Sequence, residues 1–140
     1  MTPELRQILS SCERAKPATA SAISTVEQQT GRELPVLLRE LLSESNGFEG
    51  FIGKHYFALW STEQIVAFNR AAEVDKYAPG LLLIGSDGGG ENFALDYRHN
   101  PPAVVLSPAI GDAIKDAVFV SCDLPSLFER LRDPASLFSR

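Results

Sequence analysis

Residues 81–84, Leu-Leu-Leu-Ile, place the tightest constraint on the fold. Four consecutive apolar residues, bounded by Pro79-Gly80 and by Gly85, are too few for a helix and read as a strand. Because no polar residue alternates with them, that strand must be buried on both faces and lie centrally in its sheet. The next segment agrees. Phe93, Leu95 and Tyr97 alternate with Asn92, Ala94 and Asp96, Asn100-Pro101-Pro102 turns the chain, and residues 103–106 run back, which predicts an antiparallel pair. Residues 56–60, dense in aromatic side chains, and residues 117–121 supply further strands.

Helical spacing occupies both ends of the chain and one stretch between strands. Thr2-Pro3 reads as an N-cap and first helical position, and Leu5, Ile8, Leu9 and Cys12 share a face, so a first helix is expected to about Arg14. A second is expected from a Ser21 cap through Ile23, Val26 and Thr30, with Gly31 at the left-handed C-terminal position. Leu34-Pro35 opens a third, whose stripe of Leu37, Leu38, Leu41 and Leu42 ends at Asn46-Gly47. Ser61-Thr62-Glu63-Gln64 spells a capping box, followed by Ile65, Phe68 and Ala72 at helical spacing. Asp123 and Pro125 open a last helix carrying Leu124, Leu127, Phe128 and Leu131, closed by Asp133-Pro134. Residues 47–53, where three glycines interrupt Phe48, Phe51 and Ile52, read as a loop with apolar anchors. This order predicts an α+β fold: a central, mainly antiparallel sheet with helices packed around it, N-terminal helices and a C-terminal helix.

A chain of 140 residues, 44% hydrophobic, has enough apolar side chain for one core and too little length for two, so residues 1–140 are expected to form one domain. The formal net charge of -5 disfavours nucleic acid and anionic membrane surfaces as direct partners and permits a basic protein. Glu4, Arg6 and Gln7 leave the N-terminus without a secretory apolar core, and no window approaches a membrane span, so a cytoplasmic protein is expected. Cys12 and Cys122 fit no metal or redox spacing and read as two reduced thiols.

The most conspicuous motif is Gly85-Ser86-Asp87-Gly88-Gly89-Gly90-Glu91. A phosphate cradle needs such a loop to open a helix, and here both flanks are strands while Asp87 and Glu91 would repel phosphate. The motif lacks a Walker Lys-Ser/Thr pair, and its glycines suit a connection that requires positive φ. Asp87, Glu91 and Asp96, joined by His55 or His99, match no ion-binding loop, and alternation puts Glu91 and Asp96 on opposite faces. Neither histidine lies near a serine or cysteine motif of nucleophilic form, so no metal, cofactor or catalytic residue is expected.

The order of these signals brings out a resemblance. Val26-Glu27 with Gly31, Leu34-Pro35, Leu41-Leu42, Asn46-Gly47, the strand ending in Trp60, and the run from Leu83 through the glycine turn to Asp96 look like the SUKH superfamily, in its Smi/Knr cell-wall-assembly-regulator branch. The resemblance spans about residues 20–131. It implies an α+β fold without catalytic residues that acts by binding protein. In bacteria such domains are mostly immunity proteins that neutralise a cognate polymorphic or contact-dependent toxin, and the compact length here is similar to that form. By analogy the acidic charge would complement a basic toxin such as a nuclease. The alternative is a housekeeping regulatory or scaffolding interaction domain with no toxin partner. The resemblance places Trp60 at the family's tryptophan position and Asp87, Gly88, Gly89, Gly90 and Glu91 at its glycine-rich turn, which makes these six the candidate partner-binding residues. For Trp60, core packing beside Leu59 is the competing role.

Overall fold

A computed structural model of the chain describes residues 1–135; the last five residues of the expected domain lie outside them. Helix α1 (Pro3–Leu9) is capped by the Thr2 side chain, which accepts a hydrogen bond from the Leu5 N–H. It ends well short of Arg14. The Ser10 hydroxyl and N–H both turn back to the Gln7 carbonyl, and Cys12 follows helical spacing only because this turn also carries it into the core. Strand β1 (Glu13–Arg14) then starts the sheet.

Helix α2 (Ala20–Thr30) starts from Thr19 rather than Ser21, and Gly31 closes it in the left-handed conformation at φ 70°. Helix α3 (Val36–Glu44) buries Leu38, Leu41 and Leu42. The expected loop at 47–53 is instead strand β2 (Phe48–Ile52). Its glycine is a packing device: a Cβ on Gly50 would meet the Cys12 Cα at 3.0 Å, so β2 can lie against the turn after α1 only without a side chain there. Strand β3 (His55–Leu59) leads into α4 (Thr62–Ala71), whose capping box between Ser61 and Gln64 forms as expected. A short helix α5 (Val74–Tyr77), unforeseen in the sequence, precedes β4 (Leu81–Ser86). Strands β5 (Glu91–Asp96), β6 (Ala103–Pro108) and β7 (Val118–Ser121) follow, and Asp123 caps α6 (Leu124–Arg132).

The described strands form one antiparallel sheet in the order β1-β2-β3-β4-β5-β6-β7, each paired with its neighbour in sequence. The sheet has a core on each side. On one face Leu82 and Ile84 of β4 join Phe57, Phe93, Leu95 and Val104 beneath the apolar stripes of α1, α2, α3 and α6. Phe57 sits at the centre, 1% exposed, with ring centroids 5.0 to 5.8 Å from Phe93, Phe128 and Phe48. On the other face Leu81 and Leu83 pack with Ala78, Ala94 and Val105 under Val74, Ala113 and Ile114. Strand β4 is therefore buried on both sides, as its unbroken apolar run requires.

Pairing between β3 and β4 is short. It covers Ala58 with Ser86 and Leu59 with Gly85, after which the Trp60 N–H donates to the Ile84 carbonyl and the chain departs into α4. Asn69 of α4 then takes the place of the missing strand. Its Oδ1 accepts from the Leu83 N–H at 2.8 Å, and its Nδ2 donates to the Leu83 carbonyl at 2.8 Å and to the Ile65 carbonyl at 2.7 Å. Every polar atom of this buried amide is used.

Candidate functional site

Motifs that stand far apart in sequence meet at the end of β3. Asn46 follows α3, and its Oδ1 accepts from the Thr62 N–H at 2.8 Å, which ties that turn to the start of α4. Gly47, at φ 91°, lets the backbone pass so close that a Cβ would lie 2.9 Å from the Leu59 carbonyl oxygen. From the other side, a Cβ on Gly85 would lie 2.2 Å from the Ala58 carbonyl oxygen. Ile84 is an extra residue in the register between β4 and β5, so Gly85 stands at a bulge that presses β4 onto β3. Both glycines serve close approach, and together they fix where Trp60 emerges.

Trp60 is half-buried. Its ring meets Phe68 of α4 edge-on, with centroids 4.6 Å apart, and it packs against both cores, so the packing role weighed for it is real. It still lines an open groove of about 500 Å³ with Glu13, Glu49, Tyr56, Ala58 and Ser86.

The glycine-rich turn lies further along β3, beside Tyr56 rather than Trp60. A Cβ on Gly88 would touch the Tyr56 ring at 2.9 Å. Asp87 closes the hairpin: its Oδ1 accepts from the N–H groups of Gly89 at 2.7 Å and Glu91 at 3.1 Å, while its own N–H donates to the Glu91 carbonyl. Gly88 and Gly90 have φ of 78° and 94°, as the turn requires, and the exposed Gly90 carbonyl accepts from the Ala109 N–H. Of the six candidate residues, the structure thus brings together Asp87, Gly88, Gly89, Gly90 and Glu91. It sets Trp60 four residues away along β3.

Sequence reasoning missed Tyr56, Glu49 and Phe51. The signal was strand alternation: Phe57 and Leu59 point to the main core, which puts Tyr56, Ala58 and Trp60 on the opposite face. Register adds Phe51 beside Tyr56, and Glu49 beside Ala58. Phe51 is 63% exposed and meets Tyr56 edge-on at 5.4 Å. The Tyr56 hydroxyl donates to Glu49 Oε2, and that bond to a carboxylate pushes the phenol pKa up.

The groups weighed for metal or catalytic chemistry are dispersed. Asp96 is 2% exposed and accepts from the Arg98 side chain at 2.9 and 2.8 Å and from its N–H at 3.0 Å; the guanidinium holds the carboxyl below its ordinary range. His99 Nε2 lies 3.8 Å from the same carboxylate. Cys12 is in the core, where burial raises its thiol pKa, while Cys122 is exposed with its Sγ 3.9 Å from the Ser126 hydroxyl. Among the described residues, no group of three or more His, Cys, Asp or Glu side chains is placed to hold a metal ion. Nor is any described helix long and apolar enough to cross a membrane.

No curated protein matches the chain in sequence. The model of the SMI1/KNR4 family (SUKH-1), however, matches residues 17–123, which take in α2, α3, the whole sheet from β2 to β7, both close-approach glycines, Trp60 and the glycine-rich turn. On that match over most of its length, the chain belongs to the SMI1/KNR4 family (SUKH-1).

Proposed function

We propose that this chain is a non-catalytic protein-binding domain that serves as an immunity protein, binding and neutralising a cognate polymorphic or contact-dependent toxin in the cytoplasm of the cell that makes it. Family membership over residues 17–123 carries the reading. The fold is consistent with it, in that three of the polar side chains near the sheet are used in architecture. Asp87 closes a hairpin, Asp96 neutralises Arg98, and Asn69 completes β4. On β2 and β3 the surface offers recognition chemistry, with Phe51 exposed beside Tyr56 and the carboxylate of Glu49. Trp60 and the turn of Asp87, Gly88, Gly89, Gly90 and Glu91 belong to the contact region in this reading. The net charge of -5 suits a basic toxin domain such as a nuclease.

Co-expression with the secreted toxin domain encoded beside its gene tests the proposal. Growth is expected to recover, and calorimetry on the purified pair is expected to show nanomolar binding. Failure to rescue or bind with every neighbouring toxin would overturn it in favour of a regulatory interaction domain.

A further inference from the structure

The sheet face opposite the main core is covered over β4 to β6 by α5 and by residues 113–117, while β1 to β3 at one edge and Phe119 of β7 at the other are left open. Two aromatic pairs bracket the open part over β1 to β3. Phe51 and Tyr56 stand at one end, Trp60 and Phe68 at the other, and Phe51 and Phe68 are 63% and 40% exposed. Between them lies Ala58, the smallest side chain on this face of β3, and the four-residue step from Tyr56 to Trp60 makes a slot about 13 Å long. Its side wall is acidic. Glu49 stands directly across from Ala58, and Glu13 directly across from Glu49, both exposed. Like charges opposite one another on neighbouring strands weaken a sheet, and the Tyr56 hydroxyl holds the Glu49 carboxylate in place over the face. Arg14 is the one cation lining the groove among the described residues, and it alternates away from Glu13, opposite Phe48.

We propose that this slot docks a basic, extended segment of a partner protein. One Lys or Arg lays its aliphatic stem on Ala58 between Tyr56 and Trp60 and places its charge between Glu49 and Glu13. Aromatic faces favour a cation, and a carboxylate pair that repels itself is relieved by one. The inference rests on the protein-binding reading and specifies the partner's chemistry at that surface.

Trp60 is the chain's single tryptophan, so its fluorescence reports on the slot directly. The probe is the blocked pentapeptide acetyl-Lys-Val-Lys-Val-Lys-amide, with acetyl-Glu-Val-Glu-Val-Glu-amide as its counterpart. The basic peptide is expected to give a saturable change in Trp60 emission and to shift the backbone amide resonances of Glu49 and Ala58. The double variant Glu13→Gln, Glu49→Gln should bind it at least tenfold more weakly while keeping the wild-type circular dichroism. Glu4→Gln with Glu129→Gln, on exposed helix positions of α1 and α6, should bind as the wild type does. Absence of a saturable change, equal binding of the acidic peptide, or unaltered binding by the slot variant would each overturn the proposal. A toxin neutralised as well by Glu13→Lys, Glu49→Lys as by the wild type would overturn the slot and leave the immunity reading standing. Specific peptide binding without toxin rescue would do the reverse.

Discussion

A methyl group added at Gly85 has nowhere to go, because the Ala58 carbonyl oxygen 2.2 Å from its ideal position is backbone held in the β3–β4 ladder. Gly85→Ala is therefore expected to force the strands apart and to cost about 3 kcal/mol in urea unfolding. Gly89→Ala is the control within the same glycine-rich stretch. Its backbone is not left-handed and its nearest neighbour, Asp87 Oδ1, is 3.6 Å away, so stability should change by less than about 0.5 kcal/mol. Asp96 gives a different kind of residue-level prediction. Arg98 lowers the carboxyl pKa in the folded state, so the stabilisation is complete above the unfolded value of about 3.9 and is lost as pH falls through the lower folded value. The urea midpoint of Asp96→Asn should accordingly fall less than that of the wild type on acidification below about pH 4. The glycine-rich motif showed in the sequence that a turn was needed, but not that Asp87 would be consumed in closing it. That depends on which way a short side chain folds back, and composition does not carry it.

Elements with explicit ends were legible. The glycine stop of α2, the capping box of α4 and the Asp123 cap of α6 are local chemistry, so those ends followed from a few residues each. The Ser21 cap failed by two positions because Thr19 offers the same hydroxyl earlier. Strand β2 was missed for a tertiary reason: its glycine looks like a breaker until Cys12 is seen packed against it. Helix α4 does more than its amphipathic pattern announces, since Asn69 substitutes for a strand along Leu83. Asn69→Ala would leave a buried N–H and a buried carbonyl unpaired. A loss of at least about 2 kcal/mol is expected, with faster hydrogen exchange at the Leu83 amide as its local signature.

For the molecule as a whole, the double-sided burial of β4 could be read from four residues, whereas the location of the open surface could not. Which part of the outer face stays bare depends on where α5 and residues 113–117 come to rest, and these are set by contacts between segments distant in sequence. Tyr56 and Glu49 became candidates only once the register placed them side by side with Ala58. The strictly sequential strand order has a consequence for how the chain assembles. Each strand emerging from the ribosome finds its hydrogen-bonding template already made, in the strand just before it, so the sheet can grow in the direction of synthesis without waiting for distant partners. Helix α6, the last of the described elements, packs against α1, α3 and β2, joining later-made chain to earlier-made chain. Until it docks, the Phe57 cluster lacks Phe128 and the growing sheet shows an apolar face to its surroundings. Docking of α6 is thus the event that turns a templated sheet into a sealed core.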